Sequence, residues 1–225
     1  MNNVIPIRDS NRSLTTPHIT RLLIIVNVIV FFIYWLPGTL DKAIETYGMI
    51  PASIIRGENF STFFTSMFLH ADLFHLGFNM LYLYIFGDNV EDVFGHGRYF
   101  LAYLLSGVIA SAIFILTLLG SQAVSALSIP TIGASGAIAS VLGAYLVLYP
   151  KARVLTLVLV GWIFIVPIPA IFFLGFWFIY QILYGMLTLG LSAVTSIAYW
   201  AHIGGFIAGL IFGLAWRSRR SKRGF

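Results

Sequence analysis

Long apolar runs alternate with short polar segments along nearly all of the 225 residues. A run of about 20 apolar residues matches the length of a helix that crosses a bilayer, at a rise of about 1.5 Å per residue. Six such runs, numbered span one to span six, are predicted at about 21–37, 71–91, 98–119, 135–149, 168–188 and 198–216. The predicted fold class is therefore an all-α membrane protein, built as a bundle of six transmembrane helices.

The apolar stretch 152–190 is long enough to hold two spans. Pro167 and Pro169 break it, because proline cannot continue a helix, and a glycine weakens its first half. We therefore predict that span five occupies 168–188 and that 152–167 is a re-entrant or surface excursion.

The segments outside the spans differ in character. Residues 1–20 are polar and are predicted to form a short flexible cytoplasmic tail, followed by one six-span domain at 21–217 and a basic cytoplasmic tail at 218–225. The loop at 38–70 is not simply polar, because aromatic and methionine side chains recur in it at helical spacing, at Phe60, Phe63, Phe64, Met67 and Phe68. This spacing predicts a segment that lies in the membrane interface.

The composition indicates that lipid is the main solvent of the chain. Apolar residues make up 59% of it and charged residues only 9%, whereas a soluble domain carries about 25% charged residues. The sequence has no cysteine, which excludes disulfides, cysteine-based zinc sites and thiol catalysis. Its Gly-rich stretches match no phosphate-binding loop. We expect neither a cofactor nor a metal.

The basic residues are concentrated on one face of the predicted bundle. Eleven of the 13 lysines and arginines fall on the side that holds both termini, namely Arg8, Arg12, Arg21, Arg98, Lys151, Arg153, Arg217, Arg219, Arg220, Lys222 and Arg223. Only Lys42 and Arg56 fall on the other side. The positive-inside rule then places both termini in the cytoplasm. The net charge of +5 arises from these orientation signals, so we expect no nucleic-acid partner.

Three spans place polar side chains at one depth in the predicted bilayer. His75 and Asn79 lie at the start of span two. Ser135 and His202 lie at the starts of span four and span six. At about 1.5 Å per residue, His75, Ser135 and His202 each lie roughly 22–24 Å from the cytoplasmic ends of their spans. Polar groups inside the hydrocarbon region are candidates for function.

Spans four and six each carry a stripe of small residues on the face that bears the polar group. The stripes recur at every fourth position, at Ser135, Ala139 and Gly143 and at Gly205, Gly209 and Gly213. Small residues let helix backbones approach closely in lipid. His202 precedes Gly205 by three positions, so packing of the two stripes brings Ser135 to His202.

A serine that meets a histidine points to acyl transfer. Imidazole titrates near neutral pH and can take the hydroxyl proton, which turns the serine into a nucleophile. No Asp or Glu occurs in spans four to six, so the sequence supports a dyad of Ser135 and His202. The candidate donors to a developing oxyanion are His75, Asn79 and the backbone N–H of Ser135.

The motifs that carry these groups resemble the signature set of the rhomboid intramembrane serine proteases. They are Gly133-Ala134-Ser135-Gly136, Ala201-His202-Ile203-Gly204-Gly205 with Gly209, and His75-Leu76-Gly77-Phe78-Asn79. The resemblance implies an intramembrane serine endopeptidase that cleaves peptide bonds in or near transmembrane segments. It implies that Ser135 is the nucleophile and His202 the base, and that His75 and Asn79 serve the oxyanion with the Ser135 N–H. The structural positions of the motifs are Gly133, Gly136, Gly205 and Gly209.

Two positions depart from the family pattern. Some rhomboids carry a Trp-Arg pair where this chain has Ser61-Thr62, and an aromatic residue often follows the nucleophile by four where this chain has Ala139. The sequence therefore leaves open what orients His202. Span five carries bulky aromatics and few small residues, which predicts loose packing and lateral passage of substrate near Trp177 and Phe178.

Two other functions compete with proteolysis. A transporter or channel needs ionisable residues along a path across the bilayer, whereas the polar groups here cluster at one level. A catalytically silent rhomboid-like protein that binds membrane clients is expected to have replaced Ser135 or His202, and both are present. The expected partners are transmembrane protein substrates and the lipid bilayer, in a multi-pass protein of a prokaryotic plasma membrane. We expect a structural hydrogen-bonding role for His70, and for Glu91 the role of a cytoplasmic cap rather than a catalytic one.

Overall fold

The computed structural model describes residues 4–121, 124–160, 162–191 and 197–222. These residues form nine α-helices, α1 (His18–Trp35), α2 (Leu40–Tyr47), α3 (Pro51–Ile55), α4 (Thr62–Thr65), α5 (Leu73–Phe94), α6 (His96–Leu119), α7 (Ser135–Leu148), α8 (Ala170–Gly190) and α9 (Tyr199–Lys222). Short 3₁₀ helices occur at Ser66–Phe68 and Val124–Ser128. Three β-strands, β1 (Val4–Asp9), β2 (Arg153–Val160) and β3 (Trp162–Pro169), form one antiparallel sheet in the order β1-β2-β3.

The described structure is mainly helical, and four of its helices are long and apolar enough to cross a membrane. They are α1, α6, α8 and the part of α9 at Tyr199–Ser218. The apolar helix α7 has 14 residues, and α5 has 22 residues but carries three acidic side chains near its end. Each predicted span corresponds to one of these six helices, and the bounds agree to within three residues except at the end of α9. That all six cross the membrane stays a prediction.

The short helix α7 lies at the centre of the bundle, against α5, α6, α8 and α9. Its residues 137–145 are all buried. The glycines bring it into direct contact with α9, because a side chain at Gly143 would meet the backbone of Phe206 and one at Gly209 would meet the backbone of Ser140. The predicted packing of the two small-residue stripes is thereby confirmed. This contact fixes how far α7 and α9 are shifted along each other, and so it sets the positions of Ser135 and His202 at the starts of the two helices.

The beginning of the described chain is a strand. β1 pairs with β2, and the buried Asp9 carboxylate accepts hydrogen bonds from the Tyr145 hydroxyl at 2.6 Å and from the Asn89 amide at 3.0 Å. Burial raises the pKa of Asp9 to about 6, although the Tyr145 hydrogen bond acts in the opposite direction. The prediction of a flexible tail is wrong for Val4–Asp9, because hydrogen bonds from a strand and from two helices hold this segment.

The excursion predicted at 152–167 is a β-hairpin. β2 and β3 pair antiparallel, with Arg153 opposite Pro169 and successive pairs leading to the hairpin end. β3 has a neighbour on one side only, which is where a sheet tolerates Pro167 and Pro169. The prediction that this stretch is not a helical span is confirmed. Most of the apolar side chains of β3 are exposed, so the hairpin extends the apolar surface of the bundle.

Glu91, near the end of α5, caps the beginning of α1. Its buried carboxylate accepts hydrogen bonds from the backbone N–H groups of Ile19 at 2.9 Å and Thr20 at 2.8 Å, and from the Thr20 hydroxyl at 2.7 Å. A negative charge is favourable at this end of a helix, where N–H groups lack backbone partners. The predicted capping role is confirmed, and the capped helix is α1 rather than α5 itself.

The first loop, 38–70, is helical in part, as its spacing of apolar residues predicts. The apolar side chains of this loop have different surroundings. Met67 is buried against Gly107 of α6, whereas Phe60 and Phe64 are exposed. A side chain at Gly107 would overlap the end of Met67. Met67 therefore anchors the loop in the bundle, and the location of the segment in the membrane interface stays a prediction.

Candidate active site

Ser135 is the first residue of α7, and the first loop holds the turn that precedes it. Met49 and Thr131 exchange backbone hydrogen bonds of 3.0 and 2.8 Å, and the Gly133 N–H donates to the Ser66 carbonyl at 2.9 Å. Gly133 has a φ of +113°, a backbone conformation that strains any residue with a side chain. This turn fixes the point at which α7 begins, so that its first side chain, Ser135, borders the internal cavity.

The Ser135 side chain borders a cavity of about 530 Å³ whose walls are mainly apolar. The same cavity is bordered by His75 and Asn79 from α5 and by His202 from α9. The structure therefore brings all four predicted site residues to one place. Within the described residues, no group of three or more His, Cys, Asp or Glu side chains is placed to hold a metal ion.

His202 lies in the first turn of α9 and meets Ser135, as predicted. The His202 Nε2 atom is 2.8 Å from the Ser135 Oγ atom. The distance depends on backbone contact one turn further on, where a side chain at Gly205 would overlap the carbonyl of Gly136. When the imidazole is neutral and its Nε2 is unprotonated, the serine hydroxyl donates to that atom, which is the starting geometry for proton transfer.

Two residues of α8 hold the other side of the His202 ring. Gln181, which is buried, places its Oε1 atom 2.9 Å from His202 Nδ1. The ring of Trp177, one helical turn earlier, packs on the imidazole with 5.9 Å between ring centroids. The sequence left open what orients His202, and these contacts answer the question. The signal in the sequence was Gln181 itself, an amide in an otherwise largely apolar span.

His75 presents its Nε2 atom to the turn before Ser135. Its backbone N–H donates to the capping carboxylate of Asp72 at 2.8 Å, and its Nδ1 atom accepts from the Ala71 N–H at 3.3 Å. Because Nδ1 accepts, the ring proton of a neutral His75 is on Nε2. A Cβ atom at Gly133 would lie 2.8 Å from this Nε2, so the N–H group lies against the turn that precedes Ser135.

Asn79 lies one turn after His75, on the same face of α5. Its Nδ2 atom donates to the carbonyl of His75 at 2.8 Å. A carboxamide carries two N–H groups, and this bond uses one of them. The Asn79 side chain borders the cavity. One of its two N–H groups is used by the backbone of its own helix, and the other is available to a ligand.

His70 precedes α5 and is fully buried. Its ring packs edge-on against His75, with 5.0 Å between the ring centroids. Burial lowers the pKa of His70 to about 3, and the neighbouring His75 acts in the same direction. The ring packs behind His75, while the structural hydrogen-bonding role predicted for His70 stays a prediction.

These features define a helical membrane protein with a hydrogen-bonded serine and histidine beside an internal cavity. A family model described as the Rhomboid domain matches residues 57–219, which include every residue of this site. The chain belongs to the rhomboid family.

Curated relatives agree with this assignment. The chain is 30% identical over 191 residues to Rhomboid protein 1, mitochondrial, of Saccharomyces cerevisiae, a match that covers 84% of the chain and 50% of the relative. It is 33% identical over 196 residues to Rhomboid protease GluP of Bacillus subtilis, covering 86% of the chain and 34% of the relative. It is 31% identical over 131 residues to the human presenilin-associated rhomboid-like protein, mitochondrial, covering 58% and 33%. The chain thus spans between a third and a half of these relatives' length.

The relatives also bear on location. Several carry the word mitochondrial in their names, whereas one comes from a bacterium. They support a membrane-spanning protein and do not support the expected prokaryotic plasma membrane in particular.

Proposed function

We propose that this protein is an intramembrane serine endopeptidase that cleaves peptide bonds in or near transmembrane segments of other membrane proteins. The observation that carries the proposal is the 2.8 Å contact between Ser135 Oγ and His202 Nε2 inside a helical bundle. Membership of a family that includes a named protease, GluP of Bacillus subtilis, supports it. The alternative of a catalytically silent protein that binds membrane clients finds less support, because both members of the dyad are present and in contact.

The proposed reaction begins with transfer of the Ser135 hydroxyl proton to His202 Nε2. The Ser135 oxygen bonds to the scissile carbonyl carbon at the same time, which forms a tetrahedral oxyanion. The imidazolium then gives its proton to the leaving amine, and an acylated serine remains. A water molecule repeats the sequence on the acyl carbon, with His202 again as base, and releases the carboxylic acid and free Ser135.

The oxyanion needs donors that are in place before it forms. We assign this role to the Ser135 backbone N–H, which lies at a helix start, and to the Nε2–H of His75 beside Gly133. The second N–H of the Asn79 amide is the third candidate. All of these groups are neutral, so the cavity stabilises the oxyanion without burying a permanent positive charge.

The proposed topology has six spans, α1, α5, α6, α7, α8 and α9, with both termini in the cytoplasm. The protease domain occupies about 21–217, between the segment 1–20 and a basic tail at 218–225. Most Lys and Arg residues then lie on the cytoplasmic side, as the positive-inside rule requires. The starts of α5, α7 and α9 point to the opposite side, which is where water reaches Ser135.

The proposed path of the substrate leads from lipid past α8. Many apolar side chains of α8 are exposed, including Phe176, while Phe178 stacks on Phe206 of α9 with 4.4 Å between ring centroids. Displacement of α8 opens the cavity to the bilayer with little loss of backbone packing, since the intimate glycine contacts are between α7 and α9.

The proposal is tested by labelling the purified protein with a fluorophosphonate, which reacts with activated serines. Wild type should be labelled and Ser135→Ala should not. Ser140→Ala is the matched control, because Ser140 is on the same helix and its hydroxyl only bonds the carbonyl of Ala137. The three proteins are also reconstituted with a single-span substrate. Wild type and Ser140→Ala should cleave it, and Ser135→Ala should not. The proposal would be refuted if the folded wild-type protein were neither labelled by the fluorophosphonate nor able to cleave the substrate.

A further inference from the structure

The contact between Gln181 and His202 joins the middle of α8 to the candidate base. The amide oxygen of Gln181 is 2.9 Å from His202 Nδ1, and the Gln181 side chain is 4% exposed. His202 thus has one ring nitrogen against Ser135 and the other against an amide. A polar side chain deep in a membrane helix is costly unless it is paired, so this pair needs an explanation.

The chemistry of the dyad makes the Nδ1 contact important. A carbonyl oxygen only accepts hydrogen bonds, so it favours the tautomer of neutral His202 that carries its proton on Nδ1. In this tautomer the lone pair of Nε2 faces the Ser135 hydroxyl and can receive its proton. In the other tautomer two donors, N–H and O–H, would face each other and no base would be present.

We propose that Gln181 is a positioning residue that selects the Nδ1–H tautomer of His202 and holds the ring at Ser135. The inference rests on the proposed function of the dyad. In serine hydrolases with a triad, a carboxylate performs this task and also stabilises the imidazolium. No carboxylate is present in α7, α8 or α9, and an amide can perform the orienting part of the task without an unpaired charge inside the membrane.

The position of Gln181 predicts which kinetic constant it affects. The amide lies behind the imidazole, on the side away from Ser135, and does not border the cavity in which a substrate peptide would lie. Its loss should therefore reduce turnover and leave substrate binding nearly unchanged. Trp177 lies one turn away on the same face of α8 and keeps the ring partly in place after Gln181 is replaced.

The test compares Gln181→Met, which has the same length and no strong acceptor, with Gln181→Glu, which keeps an oxygen at the same position. Loss of one hydrogen bond worth about 1.4 kcal/mol corresponds to a fall in kcat of about 10-fold, with KM within about twofold of wild type. Gln181→Glu should recover most of that loss, because a carboxyl oxygen again accepts from Nδ1–H. Gln181→Leu is a second apolar variant, in case the methionine variant fails to fold.

Ile203→Val is the matched control for packing between the same two helices. The buried Ile203 side chain of α9 faces Gly185 of α8, where a Cβ atom would lie 3.3 Å from its end, and it does not border the cavity. This variant should lower thermal stability but keep kcat within about twofold, because the contact between Gln181 and His202 remains and the dyad stays oriented.

Three results would overturn the inference. They are an unchanged kcat in folded Gln181→Met and Gln181→Leu, equal damage in the apolar variants and Gln181→Glu, and a loss that appears only in KM. Failure of the proposed function itself gives a different result, because wild type would then show no labelling at Ser135. A wild type that is labelled normally, together with an unaffected Gln181→Met, would refute only the role of Gln181.

Discussion

The backbone of Gly205 in α9 lies directly against the carbonyl oxygen of Gly136 in α7. A side chain at position 205 would overlap that oxygen. Gly136 follows Ser135, and Gly205 lies three residues after His202, so this backbone contact lies within one helical turn of both members of the dyad. The separation of Ser135 and His202 is thus set by the approach of two helix backbones.

Replacement of Gly205 by alanine is expected to separate the two helices and lengthen the hydrogen bond of the dyad. Overpacking in a close-packed interior typically costs about 1–3 kcal/mol. We expect a lower thermal midpoint in detergent and a large loss of fluorophosphonate labelling. Gly175→Ala is the control. Gly175 lies within the sequence of α8, away from its ends, and a Cβ atom there would meet nothing within 4 Å. Similar losses in both variants would show that the Gly205 contact has no special role.

The two members of the dyad are expected to fail together. Ser135→Ala and His202→Ala should each abolish measurable cleavage of a reconstituted substrate without unfolding the protein. The double variant should be no worse than either single variant, because the two residues act as one unit. Residual rates of the three variants in proteoliposomes test this expectation. A His202→Ala protein with near wild-type turnover would contradict the assignment of the base.

Removal of an oxyanion donor should be severe but incomplete. His75→Ala and Asn79→Ala should lower kcat by up to about 10²–10³, with a smaller effect on KM, because one donor to the transition state is lost. His75→Ala should be the more damaging, since its Nε2–H lies against Gly133 in the turn before Ser135, whereas the Asn79 amide also bonds the carbonyl of His75. Both should still be labelled slowly by a fluorophosphonate. Wild-type turnover in both variants would leave only backbone groups as donors.

His70 is expected to make stability depend on pH. Its pKa is about 3 in the folded protein, below the ordinary value of 6.5, so the unfolded chain binds the proton more readily between these values. The stability that depends on neutral His70 is complete above pH 6.5 and is lost as the pH falls towards 3. His70→Ala should lower the thermal midpoint at pH 7, since a cavity replaces a buried ring. The difference from wild type should shrink at pH 4.5.

The neighbouring Leu69 supplies the control for this pH dependence. Leu69 is buried and has no titratable group, so Leu69→Ala should lower the thermal midpoint by a similar amount at pH 7 and pH 4.5. A constant difference between His70→Ala and wild type at both pH values would show that His70 contributes by packing alone.

The proposed topology predicts opposite signals from two reporter fusions. A fusion at residue 225 should report a cytoplasmic location and a fusion at residue 128 the opposite side, because three of the six proposed spans, α1, α5 and α6, precede that loop and three follow it. Two reporters, one active only in the cytoplasm and one active only on the opposite side, are each fused at both positions, so that a weak signal from poor expression is recognised. Identical locations for the two fusions would contradict the six-span arrangement.

The sequence by itself determined where the long helices lie. Lipid cannot hydrogen-bond to the backbone, so each span needs an apolar run of sufficient length, and such runs are visible in one dimension. The sequence also placed Ser135 and His202 at one depth, because a helix has a constant rise per residue. The glycine stripes predicted the α7–α9 contact for the same reason, since every fourth residue lies on one face.

Only the tertiary structure decided which groups complete the site and what holds the ends of the chain. Gln181 reaches His202 because α8 packs on α9, and no local pattern encodes that rotation of one helix about its axis. The pairing of Val4–Asp9 with β2 joins segments about 150 residues apart, so a polar stretch that resembles a flexible tail is ordered. The capping of α1 by Glu91 joins residues that are 71 and 72 positions apart in the chain. Local spacing predicts faces and depths, whereas contacts between distant elements depend on how the whole bundle packs.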